Sequence, residues 1–136
     1  MNKTNRKKLK KVLVIDDEND LRRFSCWVLE AEGYLALQAG DCDNGLKLAR
    51  QEHPDLILLD IKLPDRYGWS VLEEVNSSPQ LNDIPVVIFT ASADLALRGQ
   101  AKKLGAIDFL VKPVSAETIR ETVGRAIGKK VPSKKR

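Results

Sequence analysis

Val12-Leu13-Val14-Ile15-Asp16-Asp17 sets a run of apolar residues directly against two carboxylates. A strand with one wet face alternates apolar and polar residues, so an unbroken, largely β-branched run of this length predicts a strand buried on both faces. Four more candidate strands follow, all short: Tyr34 to Ala39, Asp55 to Leu59, Val86 to Thr90 and Ile107 to Val111, each bounded by Gly, Pro, Asn or Asp. Between them the apolar spacing changes to that of helices. Leu21, Phe24, Val28 and Leu29 follow an i, i+3, i+7, i+8 pattern, with Asn19 or Asp20 as the expected N-cap and Gly33 as the stop. Leu46 and Ala49 line a second helix behind an Asp41 cap, and Val71, Leu72 and Val75 line a third. Leu97, Ala101 and Leu104 line a fourth that Gly105 ends, and Ile119, Val123, Ala126 and Ile127 a fifth opened by Ser115 and Glu117.

Strands alternating with helices predict an α/β domain of (βα)5 type, with a five-stranded parallel sheet and helices on both faces. Right-handed crossovers leave few strand orders, and the doubly wound, flavodoxin-like order 2-1-3-4-5 is the expected one. In that order ligands bind beyond the carboxyl ends of strands 1 and 3. Asp16 and Asp17 follow strand 1 and Asp60 follows strand 3, so residues far apart in sequence are expected in one crevice. Carboxylates a few ångströms apart raise one another's pKa and need compensation. A divalent cation answers that need, and an all-oxygen donor set without His or Cys points to Mg²⁺ or Mn²⁺. Thr90 and Lys112 end strands 4 and 5 on the same edge. Carboxylates, a metal, a hydroxyl and an ammonium at one mouth suit phosphoryl transfer, in which an Asp can itself accept the group. Each residue has an ordinary alternative: the Asp16-Asp17 pair as a helix cap, Asp60 as a turn residue, Thr90 as a plain strand residue and Lys112 as a solvated charge.

Composition sets the outer bounds. At 136 residues, 43% apolar and 31% charged, the chain has the size and balance of one globular domain. No apolar stretch approaches the roughly 18 residues of a membrane span, and none behind the basic N-terminus is long enough for a signal peptide, so a cytoplasmic location with no membrane partner is expected. Cys26 and Cys42 are read as reduced thiols, and a single His53 leaves no zinc site. The charge is uneven: residues 1–11 and 129–136 carry 11 of the 23 bases and no acid, which leaves 12 bases against 19 acids, about −7, in the body. The overall +4 therefore describes the ends. The expected division is a basic extension at 1–10, a domain at 11–128 and a basic tail or linker from 129 to 136.

The chain resembles the receiver domains of two-component response regulators. The resemblance rests on Val14-Ile15-Asp16-Asp17-Glu18, Asp55-Leu56-Ile57-Leu58-Leu59-Asp60 with Pro64-Asp65 and Gly68, Thr90-Ala91, and Asp108-Phe109-Leu110-Val111-Lys112-Pro113. Any one of these is weak, whereas their order and spacing together are specific and span nearly all of residues 11 to 128. The resemblance implies that Asp60 takes a phosphoryl group from a sensor histidine kinase or phosphotransfer protein. It implies Mg²⁺ held by Asp17, Asp60 and the backbone carbonyl of Lys62, with Asp16 acting largely through water. It further implies Thr90 and Lys112 gripping the phosphate and Phe109 as the aromatic of the switch. A downstream effector would be engaged through the last two helices and strand, where a phosphorylation-dependent homodimer would also form.

Lys62 departs from the family pattern, which rarely has a base there, and either alters aspartyl-phosphate lifetime or donor preference or is a solvated lysine. Trp27 falls off the apolar stripe of the first helix and is either an exposed anchor for a kinase or packed against a neighbouring loop; Leu95 is either part of an output face or a cap on the fourth helix. Other classes carried forward are a Mg²⁺-dependent phosphatase of the haloacid dehalogenase type, whose pattern wants a second Asp where Lys62 stands, and a phosphorylation-independent binding module. Nucleic-acid binding through the basic ends is less expected than solvated tails.

Overall fold

The computed structural model describes residues 9–128, so the basic extensions expected at 1–10 and 129–136 lie almost wholly outside the described residues. The strands are β1 (Lys11–Ile15), β2 (Leu35–Ala39), β3 (Leu56–Leu59), β4 (Val86–Thr90) and β5 (Asp108–Val111). They alternate with the helices α1 (Asn19–Ala31), α2 (Cys42–Glu52), α3 (Trp69–Ser77), α4 (Leu95–Lys103) and α5 (Ala116–Gly128). Every strand pair is parallel and the order is β2-β1-β3-β4-β5, the predicted topology.

The apolar runs are unbroken because the sheet has a core on each face. Val12, Val14, Leu56, Leu58, Val87 and Phe89 point into one cluster with Val28 and Leu29 of α1 and Ile119 and Val123 of α5. Their neighbours Leu13, Ile15, Ile57, Leu59, Val86 and Ile88 point into the other, with Leu46 of α2, Val71, Leu72 and Val75 of α3 and Ala101 of α4. Burying each such Leu or Ile is worth about 1.5–3 kcal/mol, so both faces of the central strands act to hold the sheet. The edge strands β2 and β5 are only partly buried, as their less apolar sequences require.

Caps and stops follow local chemistry with one exception. The Asp41 carboxylate accepts from Asn44 N at 2.7 Å and opens α2, and Ser115 Oγ accepts from Thr118 N at 3.1 Å and opens α5. Gly33 and Gly105, at φ of 90° and 96°, follow α1 and α4. The exception is α1: neither Asn19 nor Asp20 caps it. Glu18 holds the N-cap position without a side-chain bond to the helix, because its carboxylate reaches Lys112 instead, and the Asn19 side chain accepts from Arg22. Three predicted strands also start one residue late. Tyr34 N still bonds Leu29 O behind α1, the Asp55 carboxylate accepts from Lys11 N, and Ile107 N bonds Val86 O just before β5. Both cysteines are free and buried, and burial pushes each thiol up to about 11. Trp27 is 69% exposed and Leu95 79%, so Trp27 is not packed against a neighbouring loop. Among the described residues no helix is long and apolar enough to cross a membrane.

Candidate functional site

The register of the central strands decides where the carboxylates meet. Ile15 pairs with Leu59, and Asp60 N donates to Ile15 O at 2.9 Å, so the residues that follow the two strands emerge side by side at the sheet's carboxyl edge. Asp16, Asp17 and Asp60 each place a carboxylate oxygen within 4.8 Å of the others. Asp16 and Asp60 are buried, whereas Asp17 faces solvent. These are hard oxygen donors of the kind that hold Mg²⁺ or Mn²⁺, so the residues present fit a divalent cation.

Lys112 enters the same cluster from β5. Its backbone N bonds Thr90 O at 2.8 Å, which ties the end of β5 to the end of β4, and its peptide bond to Pro113 is cis. The side chain is 5% exposed, with Nζ at 2.7 Å from Asp16 Oδ2, 3.0 Å from Asp60 Oδ2 and 3.2 Å from Glu18 Oε1. The Phe89 ring centroid lies 5.3 Å from the ammonium. Burial drives the Lys112 pKa down, but hydrogen bonding and charge from Asp16 and Asp60 outweigh it and hold the value above its ordinary one. Burial is also the largest influence on Asp16 and raises its carboxyl above the ordinary value, against the lowering effect of Lys112. Part of the compensation that carboxylate repulsion demands is therefore supplied by this ammonium.

The loops that carry these groups are braced by further residues, of which Arg22 was not singled out in the sequence. The Arg22 guanidinium donates to Asp16 O at 2.6 Å, to Gln38 Oε1 at 3.1 Å and to Asn19 Oδ1 at 2.8 Å, fixing the β1–α1 turn against β2. Glu18 was legible only as the last residue of the Val14-Ile15-Asp16-Asp17-Glu18 motif; its pairing with Lys112 spans 94 positions. On the β3 side, Gly68 N bonds Ile61 O at 2.6 Å, and a Cβ at Gly68 would run into the Asp60 carbonyl oxygen. Gly68 has an ordinary helical φ of −60°, so close approach, not backbone freedom, requires glycine there. Lys62 forms an antiparallel bridge with Tyr67, and its N–H lies 3.4 Å from Asp60 Oδ1.

Thr90 ends β4 on the same edge and is buried. Phe109 does not join the cluster; it sits 7% exposed in the core under α2, α3 and α4, with the Arg98 guanidinium 5.0 Å from its ring centroid. His53 stands at φ 44° behind α2, where its Nε2 lies 3.0 Å from Gln80 O and 3.3 Å from Asp83, well away from this edge in its partners.

The profile of the response regulator receiver domain matches residues 12–124. The chain belongs to this family. Among curated relatives, the receiver domain is 34% identical over 110 residues to the phosphate regulon transcriptional regulatory protein PhoB of Escherichia coli, covering 81% of this chain and 48% of that protein. It is 32% identical over 117 residues to protein PilH of Pseudomonas aeruginosa, covering 86% of this chain and 97% of PilH. The chain thus spans about half the length of PhoB-like relatives and nearly all of PilH. A CheY-like receiver domain from Methanospirillum hungatei superposes with a TM-score of 0.83 at 28% identity, over 88% of this chain and 94% of that one. The chemotaxis response regulator CheY4 of Vibrio cholerae gives 0.82 at 28% identity, over 88% and 99%.

Proposed function

We propose that Asp60 is a phosphoacceptor and that this receiver domain passes a phosphorelay signal by changing which surface it offers after phosphorylation. The observation that carries the reading is the buried Asp60 carboxylate, held 3.0 Å from Lys112 Nζ inside the three-carboxylate cluster. An Asp60 oxygen attacks the phosphorus of a phosphohistidine on a sensor histidine kinase or phosphotransfer protein; the P–O bond forms, the P–N bond breaks and the imidazole leaves. Asp16, Asp17, Asp60 and the Lys62 carbonyl would hold Mg²⁺, which neutralises charge on the phosphoryl oxygens when bound. Lys112 is already at Asp60 and pairs with the new phosphoryl oxygens; Thr90 donates its hydroxyl to them, and Phe109 follows Thr90.

Hydrogen bonds to charged groups are worth about 1.5–3 kcal/mol each. A full reversal of a two-state element from 1:99 to 99:1 takes about 5.5 kcal/mol, so Thr90 and Lys112 together supply much of it. The responding surface is α4, β5 and α5, where Leu95 is exposed, and there an effector protein or domain, or a second phosphorylated copy, binds. Such a relay acts in the cytoplasm, and its catalysis is confined to the domain's own phosphorylation and dephosphorylation. No observation favours the phosphatase reading, because Lys62 stands where a second Asp is needed.

Beryllofluoride with Mg²⁺ tests the reading without a kinase. Fluorine resonances of a protein-bound species in the wild type, absent from Asp60→Asn, are the expected result. No bound species on the folded wild type contradicts it.

A further inference from the structure

We propose that Asp65 is a positioning residue that holds the Lys62 backbone in register with Asp16 and Asp17; the proposal rests on the reading of this edge as the metal and phosphoacceptor site. Asp65 lies in the β3–α3 loop, but its carboxylate caps α2. Oδ1 accepts from Cys42 N at 3.0 Å and from Arg66 N at 3.0 Å, and Oδ2 accepts from Asp43 N at 3.1 Å. Asp41 takes the next amide, Asn44 N, at 2.7 Å. The opening N–H groups of α2 are therefore divided between a local carboxylate and one from a loop 23 residues on. Arg66 adds a 2.9 Å ion pair to Asp43, and the Cys42 thiol donates to Arg66 O at 3.4 Å.

The far end of the same loop is closed on the acceptor strand by the Gly68 N to Ile61 O bond and the Lys62–Tyr67 bridge. Lys62 thus stands between a base fixed on β3 and a tip fixed on α2. The helix is itself seated on β1: Leu46 and Ala49 are buried, and Gly45 lies so close to Ile15 that a Cβ there would meet Ile15 Cγ1 at 3.0 Å. Ile15 precedes Asp16. The path from Asp65 through α2 to Ile15 therefore references the Asp60–Lys62 half of the site to the Asp16–Asp17 half. Outer groups that orient metal ligands commonly change affinity 10–100-fold when removed.

Asp41→Ala is the control, since it strips a cap from the same helix end without touching the loop. In the full chain, Asp65→Ala is expected to speed amide exchange across residues 61–68 and to weaken binding of Mg²⁺ alone about tenfold by titration calorimetry. Asp41→Ala, with a comparable loss of thermal stability, is expected to do neither. Unchanged exchange in 61–68, or the same Mg²⁺ affinity in both variants, overturns the proposal. If Asp65→Ala fails to fold, Asp65→Asn, which keeps one acceptor, gives the same contrast at smaller amplitude. If the wild type takes up no Mg²⁺, the reading of the site fails separately; faster exchange confined to the Asp65 variant then still upholds the pin, and its absence overturns it.

Discussion

Lys112 is the residue on which the site's electrostatics turn, because it brings one ammonium to carboxylates from two strands and a helix cap. Breaking a buried ion pair leaves the partner uncompensated. Lys62 is different in kind: it is exposed and stands two residues after Asp60. Replacing it by Met or Asn is expected to change the dephosphorylation rate of the aspartyl-phosphate, followed by loss of label, and an unchanged rate removes that role. Gly68 makes a structural prediction. Its Cβ has no room against the Asp60 carbonyl, so Gly68→Ala is expected to lower stability by about 1–3 kcal/mol in chemical denaturation. Thr122 makes the opposite one: its buried hydroxyl has no hydrogen-bond partner among the described residues, so Thr122→Val is expected to raise stability by about 1 kcal/mol.

At the scale of elements, the strands were readable because each face of β1, β3 and β4 meets its own core, which forces the apolar run that opens with Val12. The helix ends were readable where the cap is local, as at Asp41 and Ser115; the start of α1 was misread, and the second cap of α2 was missed. Glu18 gives its carboxylate to Lys112, and Asp65 gives its own to a helix that begins 23 residues earlier; neither distance leaves a mark on the local pattern. Slight burial works to raise the Asp65 pKa, but the amides of Cys42 and Asp43 hold it below its ordinary 3.8. A carboxyl lowered on folding stabilises the fold above its unfolded pKa, and that contribution disappears as pH falls through the folded value. The advantage of wild type over Asp65→Asn in thermal midpoint is therefore expected to be constant above about pH 5 and to shrink below 3.8. A difference that is flat across acid pH contradicts the cap.

At the scale of the whole molecule, the parallel topology with order β2-β1-β3-β4-β5 brings the ends of β1, β3, β4 and β5 to one edge, and the chemistry of the chain collects there. Asp16, Asp60 and Lys112 were legible as a group because each directly follows a strand, and Asp17 because it is paired with Asp16. Phe109 was legible as a residue but not in its surroundings, since the Arg98 guanidinium over its ring comes from a different element. We propose that this edge makes Asp60 a phosphoacceptor. Intact mass after incubation with acetyl phosphate and Mg²⁺ measures it most directly, with wild type beside Asp60→Asn. A gain of one phosphoryl group in the wild type, lost on removing Mg²⁺ and absent from the variant, is the predicted result; equal labelling of the variant, or none of the folded wild type with metal present, contradicts it.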